Sequence, residues 1–459
     1  MRKQNHGVAS EPGADLALFT DLYELAMLQA YFEEGMTQRA VFTLFVRRLP
    51  KRRNFLLACG LDTVLAQLQQ LRFGARDLDY LASLDRFSPG FLAQLADLRF
   101  TGDVYAVPEG TPVFANEPIL EVVAPLPEAQ WIETLVMNQI HLQTLLASKA
   151  ARVVAAAQGH PVVDFGLRRM HGIDAGLKGA RAFAIAGVGS TSNVLAGRDH
   201  GLPVAGTMAH SYVQAHADEM SAFAAYARRY PGTVLLVDTY DTLEGVRNVI
   251  ALAERLGPRF NVRAVRLDSG DLAALARASR ALLDAAGLHQ VAIFASGGLD
   301  EDAIAQLLAA GAPIDAFGVG TRMGVSDDAP DLDIAYKLAE YAGEGRLKLS
   351  TGKPILPGRK QVFRVREGEE DVADLIGRWD EQLPGRPLLE KVMEGGTPLA
   401  PAPADLSALR EATRARIARL PARVRALAPA DPPYPVTVSA GLEAYHRAIA
   451  AALARRPSD

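Results

Sequence analysis

Between residues 161 and 319, short apolar runs alternate with amphipathic stretches, and this alternation restricts the possible folds more than any other feature of the chain. The apolar runs are 161–165, 202–205, 234–237, 262–267, 291–295 and 314–319, and the clearest helical patterns between them are 214–228, 243–256, 272–286 and 301–310. Strands that recur with a helix after each one are typical of parallel α/β structure. Six or seven such units in about 200 residues favour a β/α barrel. An open sheet remains an alternative, but no Gly-x-Gly-x-x-Gly follows the first strand, which argues against a dinucleotide-binding fold.

The distribution of apolar, helical and turn-forming patterns along the chain predicts four segments. Residues 1–14 are expected to form a flexible tail, and residues 15–129 an N-terminal domain that contains a strand at 41–46, a helix at 60–71 and an antiparallel β unit at 102–125. Residues 130–345 are expected to form the β/α barrel. Residues 346–459 are expected to complete the N-terminal domain in part and to add a helical extension.

Composition excludes several classes of protein. A chain of 459 residues with 49% hydrophobic and 22% charged residues is typical of a soluble protein with two or three domains. We find no apolar stretch long enough to cross a bilayer, and the first fifteen residues lack the apolar centre of a secretory signal. The single cysteine, Cys59, excludes an intrachain disulfide, so we expect a cytoplasmic location. The net charge of −4 argues against nucleic acid as a partner, and we expect no membrane partner.

Polar and glycine-rich motifs follow the predicted strands. They are 164–168 (DFGLR), 206–210 (GTMAH), 238–242 (DTYDT), 266–271 (RLDSGD), 296–298 (SGG) and 318–322 (GVGTR). Each motif alone is consistent with a turn or a helix cap. His171, in the loop after the first motif, is either a second candidate for the chemistry of His210 or a loop histidine without chemistry. Together, at one end of a parallel sheet, the motifs predict a site for phosphates, because glycine-rich turns that open helices bind anions.

The residue types at these strand ends point to an anionic substrate. Arginine binds carboxylates and phosphates through two parallel hydrogen bonds, and His210 has the chemistry of a base, an acid or a nucleophile. The carboxylates of Asp238 and Asp268 would repel a phosphate unless a divalent cation such as Mg²⁺ lies between them. Alternatively, Asp238 orients His210 through a ring N–H.

Five separated motifs then resemble those of nicotinate phosphoribosyltransferases. They are 20–24 (TDLYE), 165–169 (FGLRR), 191–197 (TSNVLAG), 206–211 (GTMAHS) and 266–271 (RLDSGD), and the similarity extends from about residue 16 to about residue 365. The resemblance implies an α/β fold in which an irregular β/α barrel is joined to an N-terminal α/β sandwich domain that C-terminal segments help to complete. It implies condensation of nicotinate with 5-phosphoribosyl 1-diphosphate to give nicotinate mononucleotide and diphosphate in NAD salvage. ATP is implied as co-substrate of a ligase-type reaction, Mg²⁺ as cofactor, and a homodimer with shared active sites as the assembly.

The resemblance also implies roles for individual residues. His210 is expected to be transiently phosphorylated with Asp238 as its neighbour, and Asp268 to bind ribose hydroxyls or Mg²⁺. The other implied contacts are Phe165 and the partner subunit's Tyr23 on the pyridine ring, Arg168 and Arg266 on the carboxylate or a nearby phosphate, Thr207 and Ser211 on substrate, and Ser296, Gly297, Gly298, Gly320 and Thr321 on the 5′-phosphate. Related nicotinamide enzymes resemble this chain but carry an aspartate where Ser192 stands, so a neutral Ser192 favours the acid.

Three other functions are compatible with parts of the pattern. Another pyridine phosphoribosyltransferase would act on nicotinamide or on quinolinate, and a barrel protein without catalysis would only bind phosphoribosyl metabolites. A barrel aldolase or isomerase would need a lysine at a strand end, and none of the strand-end motifs has one.

Overall fold

The computed structural model describes residues 16–349, 355–399 and 405–455, so the predicted tail at 1–14 lies outside the described residues. Two compact units divide the chain. The first takes the residues up to Thr144, Asp331–Arg425 and the residues from Pro429 on, and the second takes Leu145–Pro330 with Ala426–Ala428. The sequence-based limits at 129/130 and 345/346 stay predictions.

The first unit begins with helices around an antiparallel sheet. Its first elements are α1 (Leu22–Glu33), β1 (Arg39–Val46), β2 (Leu56–Leu57), α2 (Leu61–Gln70), α3 (Ala75–Ser83), α4 (Pro89–Asp97), β3 (Asp103–Ala106), β4 (Pro112–Val113), β5 (Leu120–Pro125), α5 (Leu126–Trp131) and α6 (Glu133–Ala156), whose residues from Leu145 on belong to the second unit. The predicted strand at 41–46, helix at 60–71 and antiparallel β unit at 102–125 are confirmed. Helix α1 begins directly after Asp21, but the Asp21 carboxylate accepts from Thr134 instead of capping the helix.

The second unit carries the predicted alternation of strands and helices. Its elements are β6 (Val162–Asp164), α7 (Ile173–Ala186), β7 (Ser190–Thr191), α8 (Val194–His200), α9 (His210–Gln214), α10 (Glu219–Arg229), β8 (Thr233–Leu236), α11 (Thr242–Leu256), β9 (Val262–Leu267), α12 (Leu272–Ala285), β10 (Ala292–Ala295), α13 (Glu301–Ala309), β11 (Ala316–Val319) and α14 (Thr321–Gly324), with 3-10 turns at Leu167–Arg169 and Gly257–Arg259. The predicted helix at 214–228 is interrupted, because α9 ends at Gln214 and Asp218 caps α10.

The strands of the second unit form one parallel sheet in the order β7-β6-β11-β10-β9-β8. The first strand of the unit, β6, therefore lies beside the last strand, β11, as it does when a sheet curls toward a barrel. The predicted strand at 202–205 is wrong. Val204 makes a single bridge to Thr191, and the preceding Pro203 has no N–H with which to extend a ladder. In the described residues the ladder is thus interrupted between this bridge and β8, and the parallel sheet is a curled half-barrel.

The C-terminal part of the chain returns to the first unit. Its elements are β12 (Ile334–Tyr341), β13 (Glu344–Gly345), β14 (Lys360–Glu367), β15 (Glu370–Arg378), β16 (Arg386–Pro387), β17 (Glu390–Glu394), β18 (Thr397–Pro398), α15 (Leu406–Ala418), α16 (Ala422–Arg425), β19 (Val436–Val438) and α17 (Ala440–Ala454). One sheet has the order β13-β12-β1-β5-β3-β17-β18 and another the order β16-β14-β15-β19. Strands from both ends of the chain therefore share one sheet. In the described residues, no helix is both long and apolar enough to cross a membrane.

A buried ionic cluster lies in the first unit. Arg364 pairs with both oxygens of Asp374 at 2.9 and 2.6 Å, and the Tyr434 hydroxyl donates to the same carboxylate at 3.1 Å. Glu117 is 1% exposed and accepts from the backbone N–H of Phe114. Burial and the adjacent Asp374 carboxylate raise the pKa of Glu117 well above its ordinary value. Glu117 is therefore protonated in the folded protein at pH values where it ionises in the unfolded chain.

This shift predicts how Glu117→Gln changes stability with pH. A carboxyl whose folded pKa is raised contributes stability at low pH and loses it as pH rises from the unfolded pKa toward the folded pKa. Because glutamine imitates the protonated acid, the variant should gain stability relative to the wild type between about pH 5 and about pH 8. Urea unfolding of both proteins at these two pH values measures the difference. A constant difference would contradict the protonated state of Glu117.

Candidate active site

A cavity of about 560 Å³ opens at the carboxyl ends of β6, β8 and β9 in the second unit. It is lined by Phe165, Leu167, Arg168, Ser192, Gly206, Thr207, Met208, Ala209, His210, Ser211, Leu236, Arg266 and Asp268. An adjoining cavity of about 260 Å³ shares four of these residues and is also lined by Arg169, Ser296, Gly297, Gly298, Leu299, Gly318, Gly320 and Thr321. The shared residues are Phe165, Arg168, Arg266 and Asp268, so the two cavities lie side by side.

The turn after β6 is fixed by the buried carboxylate of Asp164. One oxygen accepts from the backbone N–H of Gly166 at 2.8 Å and the other from the Thr191 hydroxyl at 2.7 Å. Burial raises the pKa of Asp164, although these two hydrogen bonds favour the ionised form. Asp164 therefore connects β6 to β7 directly before Phe165 and the arginines that line the cavities.

Phe165 forms an aromatic wall of the cavity. Its ring lies 5.8 Å from the ring of Phe294, and the guanidinium carbon of Arg266 lies 5.2 Å from its centroid. A Cβ on Gly318 would come within 2.6 Å of the Phe165 ring, so only glycine leaves this position open. The strand sequence Ala-Phe-Gly-Val of β11 thus makes room for the ring of a residue on the neighbouring strand.

Arg266, whose guanidinium lies over the Phe165 ring, is the centre of a hydrogen-bond network. It donates to the hydroxyls of Ser296 at 2.7 Å and Thr207 at 2.9 Å, and to Asp268 at 2.6 Å. Ser296 in turn donates to Asp268 at 2.5 Å. Partial burial alone would raise the pKa of Asp268, but the contacts with Ser296, Arg266 and His210 lower it below its ordinary value. Asp268 is therefore an anion at neutral pH, held in one orientation beside the cavity.

His210 is the first residue of α9, and its side chain is 40% exposed. Its Nδ1 lies 3.2 Å from the Thr239 hydroxyl, and its Nε2 lies 3.8 Å from Asp268. Asp238 instead accepts from the backbone N–H of Asp268 at 2.9 Å and from the Ser269 hydroxyl at 2.6 Å. The contacts of His210 thus involve Thr239 and Asp268, and the expected pairing with Asp238 is replaced by them.

Two glycine-containing turns close the smaller cavity. The turn 296–298 connects β10 to α13, and Gly320 connects β11 to α14. Gly297 has a φ of +90°, and a Cβ there would lie 1.7 Å from the backbone oxygen of Asp268. Backbone groups at such turns can approach an anion closely, and the N-terminus of α13 adds a favourable dipole. This end of the site therefore suits a phosphate group.

Comparisons with known proteins agree with this geometry. The nicotinate phosphoribosyltransferase (NAPRTase) N-terminal domain matches residues 18–141, and the NAPRTase family domain matches residues 161–377. Nicotinate phosphoribosyltransferase pncB2 of Mycobacterium tuberculosis is 57% identical over 423 residues, which cover 92% of this chain and 91% of that protein. The chain belongs to the nicotinate phosphoribosyltransferase family. The resemblance drawn from the five motifs is therefore confirmed.

Other members of the family extend the similarity to distant organisms. Nicotinate phosphoribosyltransferase of Bacillus subtilis is 42% identical and covers 80% of this chain and 77% of its own length. The crystal structure of human nicotinic acid phosphoribosyltransferase superimposes with a TM-score of 0.84 at 30% identity, covering 94% of this chain and 99% of that one. The mixed α/β fold is thus that of nicotinate phosphoribosyltransferases.

Most of the residues predicted for a nicotinate phosphoribosyltransferase site come together in the two cavities. Tyr23 and Asp238 are not among the lining residues. Tyr23 belongs to the first unit and is 51% exposed, close in sequence to the exposed Phe19 and Leu22. His171 is exposed and also outside the lining.

The sequence did not single out every residue of the site, and three of the omitted residues have polar side chains that shape it. Arg169 lines the smaller cavity, Thr239 contacts His210, and Asp164 anchors the turn. All three lie inside motifs that the sequence analysis identified, so their positions at strand ends could have indicated that they belong to the site. Their partners depend on the packing of separate strand ends, which no local pattern records.

The residues available for Mg²⁺ are the two carboxylates at the ends of β8 and β9. Oδ1 of Asp238 is buried and has no hydrogen-bond partner in the described structure, while its Oδ2 is occupied. The described residues contain no group of three or more histidine, cysteine, aspartate or glutamate side chains that could hold a metal ion. Mg²⁺ at phosphate sites commonly takes only one or two carboxylates and completes its shell with water and substrate oxygens. The pair therefore fits such an ion.

Proposed function

We propose that this chain transfers the phosphoribosyl group of 5-phosphoribosyl 1-diphosphate to nicotinate, giving nicotinate mononucleotide and diphosphate in NAD salvage. The observation that carries the proposal is that two adjacent cavities share Phe165, Arg168, Arg266 and Asp268 in their linings. The part shared by both cavities offers an aromatic ring and two arginines, and the smaller cavity adds two glycine turns. A substrate pair with a planar acid at one end and a phosphate at the other matches this arrangement.

The larger cavity suits the pyridine carboxylate. Phe165 offers a ring face for stacking, and Arg168 offers a cation with two parallel donors. Ser192 lines the same cavity and brings no negative charge. Since an aspartate at this position would repel a carboxylate, the neutral side chain supports nicotinate over nicotinamide as substrate.

The smaller cavity suits the 5′-phosphate. Ser296, Gly297, Gly298, Gly320 and Thr321 line it together with Arg169. Three donor groups of Arg266 are used within the protein, so its guanidinium is oriented before substrate arrives. Thr207 and Ser211 are proposed to contact substrate at the other end of the site.

The reaction needs positioning and charge stabilisation more than proton transfer. The ring nitrogen of nicotinate forms a bond to the ribose anomeric carbon while the carbon–oxygen bond to diphosphate breaks. The nitrogen lone pair is already a nucleophile, so no strong base is required. The ionised Asp268 is placed to stabilise positive charge on the ribose or to accept from its hydroxyls. When bound, Mg²⁺ would neutralise the leaving diphosphate, and Asp268 and Asp238 are the residues that would hold it.

ATP coupling is proposed to act through His210. The Thr239 hydroxyl holds Nδ1, which leaves Nε2 on the side of Asp268. In the proposed step Nε2 bonds to the γ-phosphorus of ATP and ADP leaves, and water later cleaves the N–P bond to release phosphate. The added charge would lie beside the diphosphate and would change substrate affinity and the equilibrium of the reaction.

His210→Ala should therefore abolish stimulation by ATP while basal transfer remains. The measurement is the rate of nicotinate mononucleotide formation with and without ATP. His216→Ala is the matched control, because His216 lies on the segment after α9 and its Nδ1 contacts only the carbonyl of Tyr212 among the described groups. Full stimulation of the His210 variant by ATP would refute the phosphohistidine.

The finer features of the assembly are also proposals. A homodimer with shared active sites would bring the partner subunit's Tyr23 to the nicotinate ring. The exposure of Tyr23, Phe19 and Leu22 supports this role, because exposed apolar side chains in one short segment mark contact surfaces. We further propose that the half-barrel belongs to an irregular β/α barrel joined to an α/β sandwich domain, and that the protein is cytoplasmic.

The substrate assignment is tested by comparing three pyridines. Purified protein is supplied with phosphoribosyl diphosphate and Mg²⁺ and with nicotinate, nicotinamide or quinolinate in turn. We expect nicotinate to have the highest kcat/KM by at least about tenfold. A preference for nicotinamide would refute the role of Ser192, and a preference for quinolinate with release of carbon dioxide would refute the substrate class.

A further inference from the structure

Lys149 is a buried cation that the proposed chemistry does not use. It lies on α6 within the second unit, and its side chain is 1% exposed. Its Nζ lies 2.7 Å from Glu301, 2.7 Å from Asp328 and 3.2 Å from Asp327. Burial would lower the pKa of Lys149, but Glu301 and Asp328 raise it above its ordinary value. The amine is therefore charged and holds three carboxylates around one point.

The carboxylates belong to the two segments that carry the glycine turns. Glu301 is the first residue of α13, and two residues separate α13 from the turn 296–298. Asp327 and Asp328 follow α14, which begins directly after Gly320. Arg152, one turn further along α6, donates to the second oxygen of Glu301 at 2.9 Å. Lys149 thus connects both walls of the smaller cavity to one rigid helix.

A second ion pair connects the same two segments. Asp300 caps α13 through one oxygen, and its other oxygen lies 2.5 Å from Arg322 of α14. Arg322 also lies 3.8 Å from Asp327. The contacts therefore run from Asp300 through Arg322 and Asp327 to Lys149, and from Lys149 to Glu301, which is the next residue after Asp300.

Backbone pairing between β10 and β11, the strands that lead into the two glycine turns, is short. The ladder between β10 and β11 pairs Phe294 with Ala316 and Ala295 with Phe317. The turns lie beyond these pairs, and Gly297, Gly298 and Gly320 have no side chains with which to pack against each other. Phosphate binding by backbone groups depends on their being placed in advance, because small displacements lose the hydrogen bonds.

We propose that Lys149 is a positioning residue that sets the separation of the two glycine turns and thereby the affinity for the 5′-phosphate. The inference rests on the proposed function, which assigns these turns to the phosphate. This role differs from that of an ordinary stabilising ion pair, because loss of an ordinary pair would lower stability without weakening the binding of one particular substrate. Lys149 does not line the smaller cavity itself and acts through its contacts with Glu301 and the two aspartates.

Kinetics of Lys149→Met and Lys149→Arg test the proposal. We expect Lys149→Met to raise the KM for phosphoribosyl diphosphate by about tenfold and to leave the KM for nicotinate within about twofold. Calorimetric titration with ribose 5-phosphate should show the same weakening without any turnover. Lys149→Arg should recover most of the affinity, because it restores the cation. If Lys149→Met does not fold, Asp328→Asn is measured instead, and a smaller rise in the same KM is expected.

Lys360→Met is the matched control. Lys360 is also a buried lysine, 3.1 Å from the buried Glu121, but it belongs to the sheet of the first unit. Its loss should lower stability and leave the affinity for ribose 5-phosphate unchanged. Equal weakening in both variants, or an unchanged affinity in Lys149→Met and Asp328→Asn, would overturn the proposal. Because the titration needs no catalysis, it stands even if the wild-type protein makes no nicotinate mononucleotide.

Discussion

Gly297→Ala is expected to lower kcat/KM by at least about 100-fold, which corresponds to about 3 kcal/mol. A Cβ at this position would lie 1.7 Å from the backbone oxygen of Asp268, and a φ of +90° is itself strained for alanine by about 1–2 kcal/mol. The turn has to move, and the backbone that carries Asp268 has to move with it. The phosphate end and the ribose end of the site are therefore disturbed by one methyl group.

Gly287→Ala separates this effect from backbone strain. Gly287 follows α12 with a φ of +74°, and a Cβ there would meet no heavy atom within 4 Å. It should cost about 1 kcal/mol of stability and leave kcat/KM unchanged. Steady-state kinetics and urea unfolding of both variants give the comparison. Activity near the wild-type level in Gly297→Ala would show that the close approach of the 296–298 turn to Asp268 is not needed.

Ser192→Asp is expected to lower kcat/KM for nicotinate by about 100-fold and to raise the rate with nicotinamide relative to nicotinate. Ser192 lines the same cavity as Arg168, and its backbone N–H is held by the carbonyl of Asp164 at 2.9 Å. A carboxylate at this position would repel the carboxylate of nicotinate and would compete for Arg168. In a partly buried site, two like charges about 4 Å apart repel by about 4 kcal/mol.

Ser192→Asn is the control for size. Asparagine has nearly the volume of aspartate and carries no charge, so it should reduce nicotinate turnover much less. The measurement is kcat/KM for both pyridines in the two variants. An equal loss in the aspartate and asparagine variants would mean that space, and not charge, decides which pyridine is used.

The strands of the second unit could be predicted because buried parallel strands are continuous apolar runs. The run at 262–267 corresponds to β9, and the run at 291–295 corresponds to β10, which begins one residue later than predicted. The run at 202–205 failed, because its composition is apolar but Pro203 limits it to a single bridge. The two-residue strand β7 was missed, since Ser190 and Thr191 have no apolar pattern.

The lining of the site could be predicted to the extent that strand ends meet at one edge of a sheet. Phe165, Arg168, His210, Arg266 and Asp268 were identified from their motifs and lie around one cavity. The choice of partner for each polar group could not be predicted. His210 contacts Thr239 instead of Asp238, whose Oδ2 accepts from the backbone N–H of Asp268 and from the hydroxyl of Ser269.

Contacts between residues far apart in the chain could not be predicted from the sequence. Lys149 stands in a long helical pattern that shows no sign of a buried cation, and its partners follow the glycine turns more than 150 residues later. The same holds for Glu117, whose pKa is raised by burial and by Asp374 of a distant strand. Local patterns specify elements, while the pairing of buried charges depends on the packing of those elements.

The most direct test of the proposed function is the transfer of label from nicotinate. The purified protein is incubated with labelled nicotinate, phosphoribosyl diphosphate and Mg²⁺, with and without ATP, and the mononucleotide and the diphosphate are quantified together. We expect labelled nicotinate mononucleotide and diphosphate in equal amounts, with a higher yield when ATP is present. Absence of labelled mononucleotide under both conditions would contradict the proposed function.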